Sequence, residues 1–235
     1  MKPTKHTARI AGALYVLLGL TAPFSLMYVP ATLFVRGNAT ATAGKILGSE
    51  MLFRLGMVNE LMSSVICIFL VMTLYRLFNQ VDKMQASLMV ILSVVSAPIT
   101  FLGVVLEIGA LTAFRGADYL NVFSKAQLDA LALFFIGLHG KGILANEIFW
   151  GLWLFPFGIL VIRSGFLPRI LGVLLIVNGF AYLAVSLTGL LVPEYSNVVE
   201  RYALIAQFGE VWIMFWLLIR GPRAQPPLVP AEQFS

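Results

Sequence analysis

The sequence predicts an all-α protein: a polytopic transmembrane helical bundle of about six spans, with signs of internal hairpin repeats. Three observations carry this. Of the 235 residues, 60% are hydrophobic and 11% charged, against about half and about a quarter in soluble domains. The mean hydropathy of +0.91 means more apolar surface than a water-soluble fold of this length can bury. Apolar runs of roughly 20 residues, enough to cross the hydrocarbon of a bilayer, recur along the chain, and none alternates like the strands of a barrel. Lipid offers no partner for backbone N–H and C=O groups, so such runs must be helices.

The first span is predicted over Ile10–Phe34, the second over Met51–Phe78 and the third over Ser87–Phe114. The fourth covers Ile143–Ile162, the fifth Leu167–Val192 and the sixth Ala203–Ile219. The basic stretch Met1–Arg9 before the first run resembles a signal peptide. That run is too long for a signal core and lacks an Ala-x-Ala cleavage site, so it reads as a retained helix. Asn38–Ser49 reads as a small polar loop. In the long connection Asp118–Gly142, the stretch Ala126–Leu138 places Leu128, Leu131, Phe134, Phe135 and Leu138 at helical spacing, the pattern of a helix lying on the membrane surface. Residues 1–221 form the membrane domain, and 222–235, with Pro222, Pro226, Pro227 and Pro230, read as a disordered cytoplasmic tail.

The formal charge of +5 does not point to nucleic acid, because the basic residues sit at the ends of apolar runs. Nine of them (Lys2, Lys5, Arg9, Arg76, Lys83, Arg163, Arg169, Arg220 and Arg223) fall on one side, in short loops, and seven on the other. The positive-inside rule then puts both termini in the cytoplasm of a multi-pass protein of a bacterial-type inner membrane. The lone cysteine, Cys67, excludes an intrachain disulfide and reads as a small core residue.

Weak internal repetition is visible. Arg9-Ile-Ala-Gly12 before the first span resembles Arg169-Ile-Leu-Gly172 before the fifth. Asn59-Glu60 and Asn146-Glu147, in the second and fourth spans, are each followed by an arginine 17 residues after the asparagine, Arg76 and Arg163. The segment from Phe166 through Pro168, Arg169 and Gly172 to Gly179 and Tyr182 resembles a bacterial membrane family known as domain of unknown function 4386, as do Ala8–Tyr15 and Ile162–Phe166. The resemblance implies a six-helix membrane protein and transfers no activity, cofactor or catalytic residue.

The strongest chemical signal is four acids inside apolar spans: Glu60, Glu107, Glu147 and Glu210. A charge near the bilayer centre costs several kcal/mol, so such residues are functional candidates. Their depths from one membrane face overlap within about 8 Å at 1.5 Å per residue, so four carboxylates could line one outward-facing cavity. Asn59, Asn146 and Gln207 lie beside them as polar candidates. Ser93, Ser96, Thr100, Gly103 and Glu107 recur at spacings of three and four on one face of the third span. Pro98 and Pro156 should loosen their helices. His139 is the sole histidine near the acid layer.

Three readings follow. In the first, the acids bind or transport a cation, a proton or a small amphipathic ligand. In the second, they pair locally as glue between helices in a non-catalytic scaffold or regulatory subunit. In the third, glutamates and His139 hold a metal in an intramembrane hydrolase. The sequence holds no phosphate-binding loop, no nucleophile elbow and no zinc-protease motif, so catalysis is disfavoured. Metal and cofactor identity are left open, and the one certain partner is the lipid bilayer.

Overall fold

The computed structural model describes residues 4–221; the predicted tail, 222–235, lies outside the described residues. All regular structure among them is helical. Six helical stretches are long and apolar enough to cross a membrane: Lys5–Leu33, Glu50–Phe78, Lys83–Arg115, Lys125–Arg163, Arg169–Leu191 and Pro193–Arg220.

In chain order the α-helices are α1 (Lys5–Pro23), α2 (Val29–Leu33), α3 (Ala39–Gly48), α4 (Glu50–Phe78), α5 (Lys83–Arg115), α6 (Lys125–Leu152), α7 (Leu154–Arg163), α8 (Arg169–Leu191), α9 (Ser196–Gln207) and α10 (Gly209–Phe215). One π-helical turn, Phe24–Tyr28, joins α1 to α2 directly after Pro23. Pro23 has no N–H to return to the preceding turn, which is where helical pairing shifts register. A second π turn, Trp216–Arg220, ends the last span.

Side chains set the helix starts. Thr4 caps α1 by accepting from the Thr7 N–H, Asn38 caps α3 by accepting from Ala41, and Asp82 caps α5 by accepting from Gln85. Ser124 and Gln127 form a reciprocal capping box at α6. Gly116, with φ of 66°, closes α5 in the left-handed conformation that glycine adopts without strain.

The spans form a closed ring in sequence order. The α1 helix packs on α4, α4 on α5, α5 on α6 and α7, these two on α8, and α8 on α9 and α10. The last span then returns to α1. Gly221 lies against Lys5 and Ala8, so both described ends of the chain sit at one end of the bundle. One apolar core, near that end, gathers Tyr15, Leu74, Phe78, Trp153, Phe157, Phe166, Leu175 and Leu217. A second, toward the other end, gathers Val29, Ile46, Phe53, Met57, Leu111, Phe114 and Ile136.

Two sequence expectations change. Asn38–Ser49 is not a loop: Asn38 caps a ten-residue helix that buries Thr42, Ala43 and Ile46. Ala126–Leu138 does not lie on the surface, because it is the first half of α6, continuous with the fourth span. Gly137, Gly140, Lys141 and Gly142 dilute the apolar pattern there and imitate a loop. The partner decides otherwise, since Ala132 and Ile136 share a core with Val104 and Leu111 of α5. Near Pro156, as expected, the fourth span is interrupted: α6 ends at Leu152 and α7 begins at Leu154.

Candidate functional site

Three helices bring two of the four acids together. Glu60 on α4 and Glu107 on α5 meet His139 on α6, and one ligand atom from each lies within 4.8 Å of the other two. His139 Nε2 is 3.4 Å from Glu60 Oε1 and 3.9 Å from Glu107 Oε1. All three residues are buried, at 5–6% exposure. From the end of the bundle opposite the chain termini, Glu60 is about 15 Å along α4 and Glu107 about 12 Å along α5, at 1.5 Å per residue. These depths fall inside the apolar stretches.

The polar balance of the cluster is incomplete. Two carboxylates face one imidazole, and among the described residues no lysine or arginine reaches either carboxylate within ion-pair distance. Glu107 Oε2 and His139 Nδ1 are buried without a hydrogen-bond partner. The imidazole rests on Gly103: a Cβ placed there would stand 2.9 Å from Nδ1. Glycine at 103 therefore gives the imidazole the room to sit between the carboxylates.

The remaining acids stand elsewhere. Glu210 on α10 accepts from the Tyr15 hydroxyl through Oε2 and from the Asn178 amide through Oε1. Both its oxygens are engaged, beside the aromatic core of Tyr15, Trp153 and Phe157. Glu147 is partly buried on α6, and its Oε2 has no hydrogen-bond partner. Gln207 is partly buried at the last residue of α9.

Asn59 and Asn146 make matching contacts. Asn59 Nδ2 donates to the Thr21 carbonyl at 2.7 Å and to Ser25 Oγ at 3.0 Å. Asn146 Nδ2 donates to the Ser96 carbonyl at 3.4 Å and to Thr100 Oγ1 at 3.2 Å. Each asparagine thus reads a carbonyl and the hydroxyl four residues later on the preceding span. Those acceptors sit in Thr21-Ala-Pro-Phe-Ser25 and Ser96-Ala-Pro-Ile-Thr100, two copies of one hydroxyl-Ala-Pro-x-hydroxyl pattern. The pairing of asparagine with this pattern was readable in the sequence, but only by comparing the first span with the third as well as the second with the fourth. The rest of the α5 stripe is also used: Ser96 Oγ accepts from Trp150 Nε1 at 2.9 Å, and Ser93 lies 3.3 Å from Cys67.

The family described as domain of unknown function (DUF4386) matches residues 10–221. The chain belongs to this family. Its DUF4386 membership agrees with the six apolar helices and brings no activity with it. An uncharacterized protein of the archaeon Archaeoglobus fulgidus is 35% identical over 74 residues, which is 32% of this chain and 43% of that protein. The matched segment thus spans less than half of the relative's length. No solved structure matches the chain.

Proposed function

We propose that this DUF4386 protein binds a cation inside the membrane, at Glu60, Glu107 and His139. The observation that carries the reading is that two buried carboxyl groups face a single imidazole, with no lysine or arginine within ion-pair distance among the described residues. Two carboxylates can carry two negative charges, and a single imidazole at most one positive. In a low-dielectric interior such an imbalance costs several kcal/mol unless a cation or protons offset it. Donor atoms within 4.8 Å of one another leave room between them for a single atom, which favours a cation over an amphipathic ligand. With both termini cytoplasmic, the centre belongs to the outward half of a cell-membrane protein.

The scaffold reading fits other residues better: both oxygens of Glu210 and the amide nitrogens of Asn59 and Asn146 are hydrogen-bonded by neighbouring helices, as helix-to-helix glue does. The test is thermal stability of the protein in nanodiscs across pH and across sodium, potassium, magnesium, calcium, manganese and zinc, beside the Glu60→Gln/Glu107→Gln variant. A cation bound at one hundred times its Kd should stabilise the wild type by about 2.7 kcal/mol and leave the variant unmoved. If no cation, protons included, separates the two proteins, the scaffold reading replaces this one.

A further inference from the structure

The next step rests on the cation reading and names the kind of cation. We propose that Glu60, Glu107 and His139 form a mononuclear site for a divalent first-row transition metal, bound by one oxygen of each carboxylate and by His139 Nε2.

Geometry gives the first argument. Donors about 2.1 Å from a tetrahedral metal stand about 3.4 Å apart, and about 3.0 Å apart at octahedral right angles. His139 Nε2 is 3.4 Å from Glu60 Oε1 and 3.9 Å from Glu107 Oε1. The widest pair, at no more than 4.8 Å, closes to those spacings by at most about 1.4–1.8 Å, shared between two flexible glutamate side chains. Both contacts are longer than the usual 2.7–2.9 Å of a charge-assisted bond, so a metal would replace a long ion pair rather than a short hydrogen bond.

Charge and donor type narrow the ion. Two carboxylates with a divalent cation sum to zero, the least costly total inside hydrocarbon; a monovalent ion leaves one negative charge. Magnesium and calcium take oxygen donors, whereas an imidazole nitrogen beside carboxylates suits manganese, iron, cobalt or zinc. Nδ1 is buried against Gly103, which leaves Nε2 as the ring nitrogen that faces the two carboxylates. Glu107 Oε2, buried and unpartnered, is free to become a second donor or to accept from a water on the metal. Three protein ligands leave at least one position for water or an exogenous group, the ligand count of reactive rather than structural zinc sites.

The test uses the full chain in nanodiscs, stripped with chelator and then titrated separately with cobalt(II), manganese(II) and zinc(II). Metal per chain is read by elemental analysis, and coordination by the cobalt visible spectrum. The expected result is one equivalent of metal per wild-type chain, with affinity at least tenfold lower in each of Glu60→Gln, Glu107→Gln and His139→Asn. Gly103→Ala, which drives the ring from its seat, should also lower affinity about tenfold, in the range seen for outer-shell changes. Wild type that takes up none of the three metals overturns the inference, as does uptake unchanged in Glu107→Gln and His139→Asn. Because the wild type is itself the probe, a variant that fails to fold does not shield the proposal. If sodium, calcium or protons still separate wild type from the double variant, the cation reading stands and only the metal falls; if nothing does, both fall.

Discussion

The fourth and fifth spans approach through glycine, and Gly158→Ala tests what that closeness contributes. Gly158 on α7 faces the Gly172 carbonyl on α8, and Gly151 on α6 faces the Gly179 carbonyl. The contacts are reciprocal, with both glycine pairs seven residues apart on antiparallel helices. A Cβ at 158 would stand 2.7 Å from the Gly172 oxygen and 2.7 Å from Ile176 Cγ1. Ordinary C···O contacts begin near 3.3 Å and C···C contacts near 3.5 Å, so the helices must part by roughly 0.6–0.8 Å. A gap of that size forfeits about a quarter to a half of the dispersion energy of the facing atoms. Overpacking of this kind costs about 1–3 kcal/mol, partly offset by about 0.5–1 kcal/mol from replacing a mid-helix glycine. The net expectation is a loss of about 1–2 kcal/mol. Gly137→Ala, in α6 with nothing within 4 Å, should instead gain about 0.5–1 kcal/mol from helix propensity alone. Reversible unfolding in mixed micelles of a mild detergent and dodecyl sulfate measures both. If Gly158→Ala proves as stable as Gly137→Ala, close packing of these helices is not what holds the ring at this point.

Other changes separate glue from site. Asn59→Ala and Asn146→Ala, which remove matching pairs of interhelical hydrogen bonds, should each cost about 1 kcal/mol in the same unfolding assay; a much larger effect at one position would break the equivalence of the two hairpins. Glu210→Gln strips an acceptor from Tyr15 or Asn178 and should cost about 1–3 kcal/mol while leaving metal stoichiometry at the wild-type value. Asp82→Ala should cost about 1 kcal/mol through loss of the α5 cap, whereas Asp82→Asn should retain most of it. The exposed Arg163 partner of Asp82 contributes little of that difference, and scanning fluorimetry at low and high salt would expose any larger share.

Much of the fold was legible because the bilayer leaves the chain few options. Apolar runs had to be helices, although three helix starts, capped by Asn38, Asp82 and Ser124, fall outside the spans read from hydropathy. What periodicity could not give was helix order, and therefore the site. His139 sits among three glycines and a lysine, a composition that imitates a loop, so its helix and its burial emerge only from the α5 surface laid against it. The sequence put the four acids at overlapping depths, but Glu210 lies beside the aromatic core of Tyr15 nearer the chain termini, and of the four only Glu60 and Glu107 meet. The repeated Arg-Ile-x-Gly segment had a physical basis not visible from either copy alone. Gly12 lies against the backbone of Leu217 and Leu218, and Gly172 against Gly158, so in both copies the glycine marks where another helix comes closest.

The matched hairpins also bear on why one acid joins a cluster of ligand-type side chains and its counterpart does not. In both, asparagine locks a helix to the Pro-containing span before it, and the next residue is a glutamate held at a fixed angle. The shared device sets direction, and the neighbour it aims at sets chemistry. Glu60 is delivered to α5 and α6, beside Glu107 and His139; Glu147, on α6, joins no such cluster, and its Oε2 is buried without a hydrogen-bond partner. A duplicated scaffold element that positions both acids but supplies an imidazole and a second buried carboxylate to only one is hard to account for as helix glue. Glue would be served by hydrogen-bonding partners of the kind Glu210 has. Around Glu60 the partner is His139 at 3.4 Å, Glu107 Oε2 is buried and unpartnered, and among the described residues no lysine or arginine pairs with either acid, the features on which the proposed cation site rests.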